Sequence, residues 1–127
     1  MDSIVHFEIP VDNAKRAAKF YAETFGWNVQ QWEKNDYWMA STAESDERGV
    51  PKKPGAINGG LAPRGGTVKG TVVTIAVGDI DASLKKIEKA GGKTLQKKQP
   101  IGDMGFTAYF KDSEGNVVGL WQSPGSM

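Results

Sequence analysis

The sequence predicts an α+β fold of two tandem βαβββ modules, whose curved and mostly antiparallel sheet surrounds a cavity. Two observations support this prediction. The order of one strand, one helix and three strands in the first half recurs in the second half. Aligning Ile9 with Ile75, an offset of 66 residues, also aligns Val11 with Val77. Because one such module covers a single face of its sheet, the other face must meet a partner module or enclose a cavity.

The first predicted strand is IVHFEIPV, and it carries His6, the only histidine among the 127 residues. Strand alternation places Phe7 and Val11 on one face and His6 with Glu8 on the other. Val73 has the parity of Phe7 in the repeated strand TVVTIAV. We therefore expect the helices on the Phe7 face, with His6 and Glu8 directed towards the cavity.

The remainder of the first module is one helix, a hairpin and a short strand. DNAKRAAKFYAETF has helical spacing, with Asp12 or Asn13 as its cap, Gly26 as its stop, and Tyr21 and Phe25 in the core. WNVQQW, the turn EKND and YWMAS predict an antiparallel hairpin. A loop, TAESDERGVPKKPG, then leads to a Gly-rich strand at INGGL.

The second module repeats this order after a Gly-rich connection. TVVTIAV is a predicted strand, and DIDASLKKIEKAGG is a helix capped by Asp79 and ended by Gly91. KTLQKK, GFTAYF and NVVGLW predict three more strands, the last two joined by the turn KDSEG. We place the first module at about 1–62, the linker at 62–70 and the second module at about 71–123 of a single domain, 1–127.

Composition narrows the classes of function. A net charge of +1 with dispersed basic residues gives no footprint for nucleic acid or for an anionic membrane, so we expect neither as a partner. The chain has no cysteine, which excludes disulfides and thiolate chemistry. It lacks an apolar run of bilayer length and a basic, apolar leader, so we expect a cytoplasmic protein.

Four signatures in order resemble the vicinal oxygen chelate superfamily, which comprises glyoxalases, bleomycin-resistance proteins and extradiol dioxygenases. They are VHFEIPV with AKFYAETFGW, then INGGL, VGDIDASLKKIEKAGGK and KDSEGNVVGLWQ. The resemblance covers nearly the whole chain. It is strongest to a small bacterial and archaeal group of predicted enzymes related to lactoylglutathione lyase. This implies the paired-module fold and no established reaction.

The resemblance also implies metal ligands on four strands, and the sequence matches one of them. His6 stands at the position on the first strand, and Asn58 is the polar side chain of INGGL. Val72 stands at the position on the repeated strand, and Gly119 stands at the last position. A divalent site usually needs about three protein ligands. We therefore expect no metal and no other cofactor.

Strand parity and the resemblance together predict the lining of the cavity. The predicted residues are His6, Glu8, Asn58, Val72, Thr74, Val117, Gly119 and Trp121. An apolar wall with a few polar groups is typical of small-molecule sites, although the same side chains also suit plain core packing. Glu8 is costly to bury unless it pairs with another group or faces a wet pocket. The hairpin aromatics, Tyr37 among them, are interpreted as walls of a pocket or of a subunit contact.

We interpret the chain as a glyoxalase-like protein that binds a small, partly apolar ligand in the cavity between its modules, without an intact metal site. The alternative is a metal-independent or weakly metal-dependent lyase or isomerase. In it, Glu8 is the general base and His6 the proton partner or electrophile. His6, Thr74 and Asn58 are then the hydrogen-bond donors left to hold a developing enolate. The resemblance further implies a homodimer.

Overall fold

The computed structural model describes residues 1–125, which form two compact units. The N-terminal unit spans 6–71, and the C-terminal unit combines residues 1–5 with residues 72–125. The element order is βαβββ followed by βαβββ, which confirms the predicted α+β class and the predicted repeat. No helix in the described residues is long and apolar enough to cross a membrane.

The first βαβββ set has one helix and a sheet in the order β2, β3, β4, β1. Its elements are β1 (Ile4–Val11), α1 (Ala14–Phe25), β2 (Asn28–Gln31), β3 (Trp38–Ser41) and β4 (Asn58–Pro63). β1 and β4 are parallel, and the other neighbours are antiparallel. Asn13 caps α1, because its Oδ1 accepts a hydrogen bond from the Arg16 N–H at 3.0 Å. Gly26 ends the helix in the left-handed conformation that glycine tolerates.

Aromatic contacts show which face of β1 meets α1. The Phe7 ring lies 5.6 Å from the Trp27 ring, which stacks on Tyr21 of α1 at 4.8 Å. By strand alternation, His6 and Glu8 are on the opposite face, as predicted.

The expected core position of Phe25 was wrong, because its side chain is 61% exposed. Ala18 is the buried residue of α1, so the helix meets the sheet through a small side chain. The Phe25 ring instead contacts other aromatic rings, at 6.4 Å from Phe20 and 6.1 Å from Trp27.

Two adjacent glycines in β4 allow aromatic rings to lie directly against the strand. A Cβ at Gly59 would meet the Phe7 ring, whose Cε1 lies 2.5 Å from that position. A Cβ at Gly60 would coincide with the phenol of Tyr37. Successive residues of a strand present opposite faces, so one ring covers each face of β4. The bare backbone at these two positions permits the close approach of both rings.

The second βαβββ set has the same plan, with a sheet in the order β5, β8, β7, β6. Its elements are β5 (Val72–Ala76), α2 (Ile80–Lys89), β6 (Lys93–Ile101), β7 (Gly105–Lys111) and β8 (Val117–Gln122). β5 and β8 are parallel, and the other neighbours are antiparallel. Its buried cluster consists of Ile80, Leu84, Ala108, Phe110 and Leu120. Ile75 and Val77 pack against this cluster, which confirms their predicted direction towards the helix.

Candidate functional site

His6 and Tyr37 form a hydrogen bond on the sheet face opposite α1. The His6 Nε2 and the Tyr37 hydroxyl oxygen are 2.7 Å apart, and the ring planes differ by 14°. Tyr37 directly precedes β3, and its carbonyl accepts a hydrogen bond from the Trp32 N–H at 3.0 Å. The turn between β2 and β3 therefore carries the phenol to a histidine 31 residues away in the chain.

Burial controls the charge of this histidine. Desolvation lowers the pKa of His6 from 6.5 to about 4, so the imidazole is neutral at pH 7. A neutral imidazole has one N–H donor and one acceptor nitrogen. Nε2 can therefore donate to the Tyr37 oxygen or accept the Tyr37 O–H, depending on the tautomer. Either arrangement fixes the phenol beside the imidazole.

Glu8 shares this face with His6 and Tyr37. It is 6% exposed and lies opposite Gly60 in the parallel register of β1 and β4. Because the Tyr37 phenol covers Gly60, the register partner of Glu8, the carboxyl group and the phenol lie at the same level of the sheet. We call His6, Glu8 and Tyr37 the polar triad. A carboxyl group, a neutral imidazole and a phenol can together bind an oxygen-bearing molecule and exchange a proton with it.

Asn58 is the register partner of His6, but its side chain holds a loop. Its Oδ1 accepts a hydrogen bond from the Thr42 N–H at 2.8 Å. Its Nδ2 donates to the Ser45 Oγ at 2.7 Å and to the Gly49 carbonyl at 3.0 Å. Both amide hydrogens and the amide oxygen thus serve the loop 42–57, so Asn58 is a poor ligand for a metal or a substrate.

The predicted residues on β5 are both buried, Val72 at 2% exposure and Thr74 at 5%. Thr74 is the register partner of Gly119 on β8. A Cβ at position 119 would lie 2.7 Å from the Thr74 Oγ1. The threonine side chain therefore occupies the space that a ligand-bearing side chain at position 119 would need.

Val117 and Trp121 have the same parity on β8 as Gly119. They alternate with Leu120, which belongs to the cluster beneath α2, so they lie on the face opposite that helix. Both are half-buried. Within the C-terminal unit, the structure thus places Thr74 and Gly119 side by side and Val117 and Trp121 on the same face.

The residues at the four implied ligand positions do not fit a divalent metal. The His6 Nε2 is engaged by Tyr37, and the Asn58 amide is engaged by the loop. Val72 has no donor atom, and Thr74 fills the space above Gly119. Within residues 1–125, no group of three or more His, Cys, Asp or Glu side chains is arranged to hold a metal ion.

Two clefts of the N-terminal unit are lined by other residues. One, of about 350 Å³, lies beside the first turns of α1 and is lined in part by Arg16, Phe20 and Arg64. The other, of about 570 Å³, follows residues 41–45 and also includes Gly26 and Asn28. Neither is lined by a residue that the sequence assigned to the pocket.

Tyr37 is the site residue whose role sequence reasoning missed. The hairpin assignment placed it among several aromatic residues without a specific partner. The available signal was the glycine pair in INGGL, since a glycine inside a strand often marks a close neighbour. The glycine pair indicates that something lies close to this part of the strand. Only the three-dimensional structure identifies the Tyr37 ring as that neighbour.

Comparison with known proteins identifies relatives. The model of the Glyoxalase/Bleomycin resistance protein/Dioxygenase superfamily matches residues 3–120. The provisionally named glyoxylase CFP32 of Mycobacterium tuberculosis is 32% identical over 121 residues, covering 91% of this chain and 44% of that protein. This chain thus spans less than half the length of that relative. A glyoxylase-like domain-containing protein of Didymella fabae is 34% identical over 127 residues, covering 93% and 91% of the two chains.

Solved structures with the same fold have lower sequence identity. A methylmalonyl-CoA epimerase in complex with methylmalonyl-CoA and ammonium has a TM-score of 0.67 at 20% identity, covering 99% and 97% of the two chains. The hypothetical protein BH1468 of Bacillus halodurans also has a TM-score of 0.67, at 12% identity and the same coverage. At these identities the likeness establishes the fold alone.

Proposed function

Because the chain belongs to the Glyoxalase/Bleomycin resistance protein/Dioxygenase superfamily, we propose that it binds a small, partly apolar molecule through the polar triad without a metal. The hydrogen bond of 2.7 Å between His6 and Tyr37, beside the buried Glu8, carries this proposal. Desolvating three polar groups on one sheet face costs stability. Recognition of a polar ligand group is a reason to retain them.

The fold relatives suggest a class of ligand. One of the similar structures is an epimerase bound to methylmalonyl-CoA, a molecule that contains carbonyl groups. A carbonyl oxygen accepts hydrogen bonds, and both a phenol and a neutral imidazole supply donors. We therefore propose a carbonyl compound as the ligand of this chain.

A direct test uses the single histidine as a reporter of binding. Acetophenone, an uncharged aryl ketone, would be titrated while the His6 C2–H resonance is followed by NMR. Binding at the triad predicts a saturable shift of that resonance in the wild type and a weaker affinity in the Tyr37→Phe variant. The Tyr21→Phe variant removes a hydroxyl on the α1 face and should behave as the wild type. Absence of any saturable shift at millimolar ketone would contradict the proposal for this ligand class.

A second candidate function is proton transfer next to a carbonyl, with Glu8 as the general base. The burial of Glu8 at the same level of the sheet as the Tyr37 phenol favours it, because a carboxylate held beside a bound carbonyl compound can act as a general base. The assay is turnover of the hemithioacetal of methylglyoxal and glutathione, together with metal analysis of protein purified without chelator. A stoichiometric divalent ion with turnover would contradict the metal-independent proposal, and full activity in Glu8→Gln would remove Glu8 as the base.

The homodimer and the cytoplasmic location remain proposals that follow from the resemblance and the composition. Light scattering of the purified protein tests the first, and fractionation of the source cells tests the second.

A further inference from the structure

We propose that the Tyr37 hydroxyl, held in position by His6, donates a hydrogen bond to a carbonyl oxygen of the ligand and stabilises negative charge on it. This inference rests on the proposed function and narrows its ligand class. The ligand would be a carbonyl compound with an acidic C–H next to the carbonyl group. Tyr37 then supplies the electrophilic stabilisation that the sequence had assigned to His6, Thr74 and Asn58.

Tyr37 is constrained at three places. Its carbonyl is bonded to the Trp32 N–H at 3.0 Å, its ring lies on Gly60, and its hydroxyl is 2.7 Å from the His6 Nε2. A hydrogen-bond donor held in place before the ligand arrives stabilises developing charge with little reorganisation. Asn58 is unsuited to this role, because both of its amide hydrogens are directed to the loop.

The neutral state of His6 makes this imidazole suited to a relay. When a ligand oxygen accepts the Tyr37 O–H, the phenol oxygen is left to accept a hydrogen bond from Nε2–H of the imidazole. Ligand binding therefore selects the tautomer that carries its proton on Nε2. Two hydrogen bonds in series polarise each other, which strengthens the bond to the ligand oxygen. His6 is then a positioning residue that acts through Tyr37.

We assign to Glu8 the acceptance of the proton from the carbon next to the carbonyl group. It lies opposite Gly60 in register, and adjacent strands are about 4.8 Å apart, a span that a small carbonyl compound covers. Ionised Glu8 takes the proton from the carbon next to the carbonyl group and becomes a neutral acid. The C–H electron pair forms the new carbon–carbon double bond, and the carbonyl π pair moves to oxygen. The resulting enolate oxygen accepts the Tyr37 O–H, and Tyr37 keeps its proton.

Benzoylacetone, a 1,3-diketone, tests this inference without requiring turnover. Its enolate absorbs in the ultraviolet separately from its neutral forms, so the apparent pKa of the bound diketone can be read from a pH series. In the wild type we expect a bound pKa below that of the free diketone. In Tyr37→Phe we expect at least about tenfold less bound enolate at the same pH, because a hydrogen bond to a charged oxygen is lost. Binding of the neutral acetophenone should weaken less.

Three further variants separate positioning from structure. His6→Gln retains an N–H donor near the phenol and should keep part of the pKa shift of the bound diketone, whereas His6→Leu should lose it. Tyr21→Phe is the matched hydroxyl deletion on the α1 face and should leave the shift unchanged.

The possible failures are distinguishable. If Tyr37→Phe binds acetophenone more weakly, as the proposed function requires, but enolises the bound diketone as the wild type does, the charge-stabilising role of Tyr37 is wrong and the proposed function stands. If neither compound binds the wild-type protein saturably at millimolar concentration, the proposed function fails, and the role of Tyr37 fails with it.

Discussion

Replacing Gly60 with alanine should destabilise the protein and break the hydrogen bond between His6 and Tyr37. The added methyl group would coincide with the Tyr37 phenol, so the ring must leave the strand. Overpacking of this kind costs about 1–3 kcal/mol, and loss of the hydrogen bond adds about 1 kcal/mol. Removing the backbone freedom of a glycine returns about 0.5–1 kcal/mol. We expect a net loss of about 2 kcal/mol in the free energy of unfolding.

The assay is urea denaturation followed by the fluorescence of the four tryptophans. A double-mutant cycle with Tyr37→Ala isolates the clash, because alanine at position 37 leaves room for the methyl group. In that background, Gly60→Ala should be neutral or stabilising by up to about 0.5–1 kcal/mol. Gly78→Ala is the matched control, since a Cβ at Gly78 would meet no atom within 4 Å.

Two results would refute this reasoning. One is a Gly60→Ala protein as stable as the wild type, with its His6 resonance unchanged. The other is an equal cost of Gly60→Ala with and without the Tyr37 ring, which would place the strain elsewhere on β4.

Three other predictions follow from the polar contacts. The pKa of His6 is about 4 in the folded chain, whereas the unfolded chain should have the ordinary value of 6.5. Because the unfolded chain then binds the proton more readily, the free energy of unfolding should fall as the pH is lowered from 6.5 towards 4. His6→Gln should lack this loss of stability between pH 6.5 and 4. A titration midpoint near pH 6.5 for the imidazole resonance of the folded protein would contradict the prediction. Asn58→Ala removes three hydrogen bonds from the loop 42–57, so trypsin should cleave that loop faster and the free energy of unfolding should fall by about 2–3 kcal/mol. Asn28→Ala is the control, and an unchanged cleavage rate in Asn58→Ala would contradict this prediction. Gln122→Met leaves the buried Ile80 N–H without its acceptor at 2.8 Å and should cost about 1–3 kcal/mol in urea denaturation; an unchanged midpoint would mean that water replaces the amide.

Periodicity was sufficient for the fold because both modules follow simple rules. The alternation in IVHFEIPV located the helix-facing side of β1. The capping candidates Asp12 and Asn13, of which Asn13 is the cap, located the start of α1, and Gly26 located its end. Boundaries were less well predicted. β6 extends to Ile101, three residues beyond KTLQKK, because its pairing with β7 continues through an irregular register.

The site was predicted only in part, because its chemistry depends on contacts between residues distant in sequence. Strand parity placed His6 and Glu8 on one face, but it did not predict that the Tyr37 phenol contacts His6 on that face. It also directed attention to Asn58, whose amide instead holds a loop of the same unit. Strand parity predicts the direction of a side chain, whereas the partner depends on turns and loops that have no period.

The glycine pair in β4 also bears on how the chain folds. A parallel pair of strands can misalign by one residue, which reverses every side chain between the two faces. Phe7 covers Gly59 and Tyr37 covers Gly60. A slip of β4 by one residue in one direction would bring Asn58 beneath the Phe7 ring, and a slip in the other direction would bring Leu61 beneath the Tyr37 ring. A slip in either direction is thereby penalised on one face of β4. The two glycines that admit the rings of Phe7 and Tyr37 therefore also favour the correct alignment of the strands during folding.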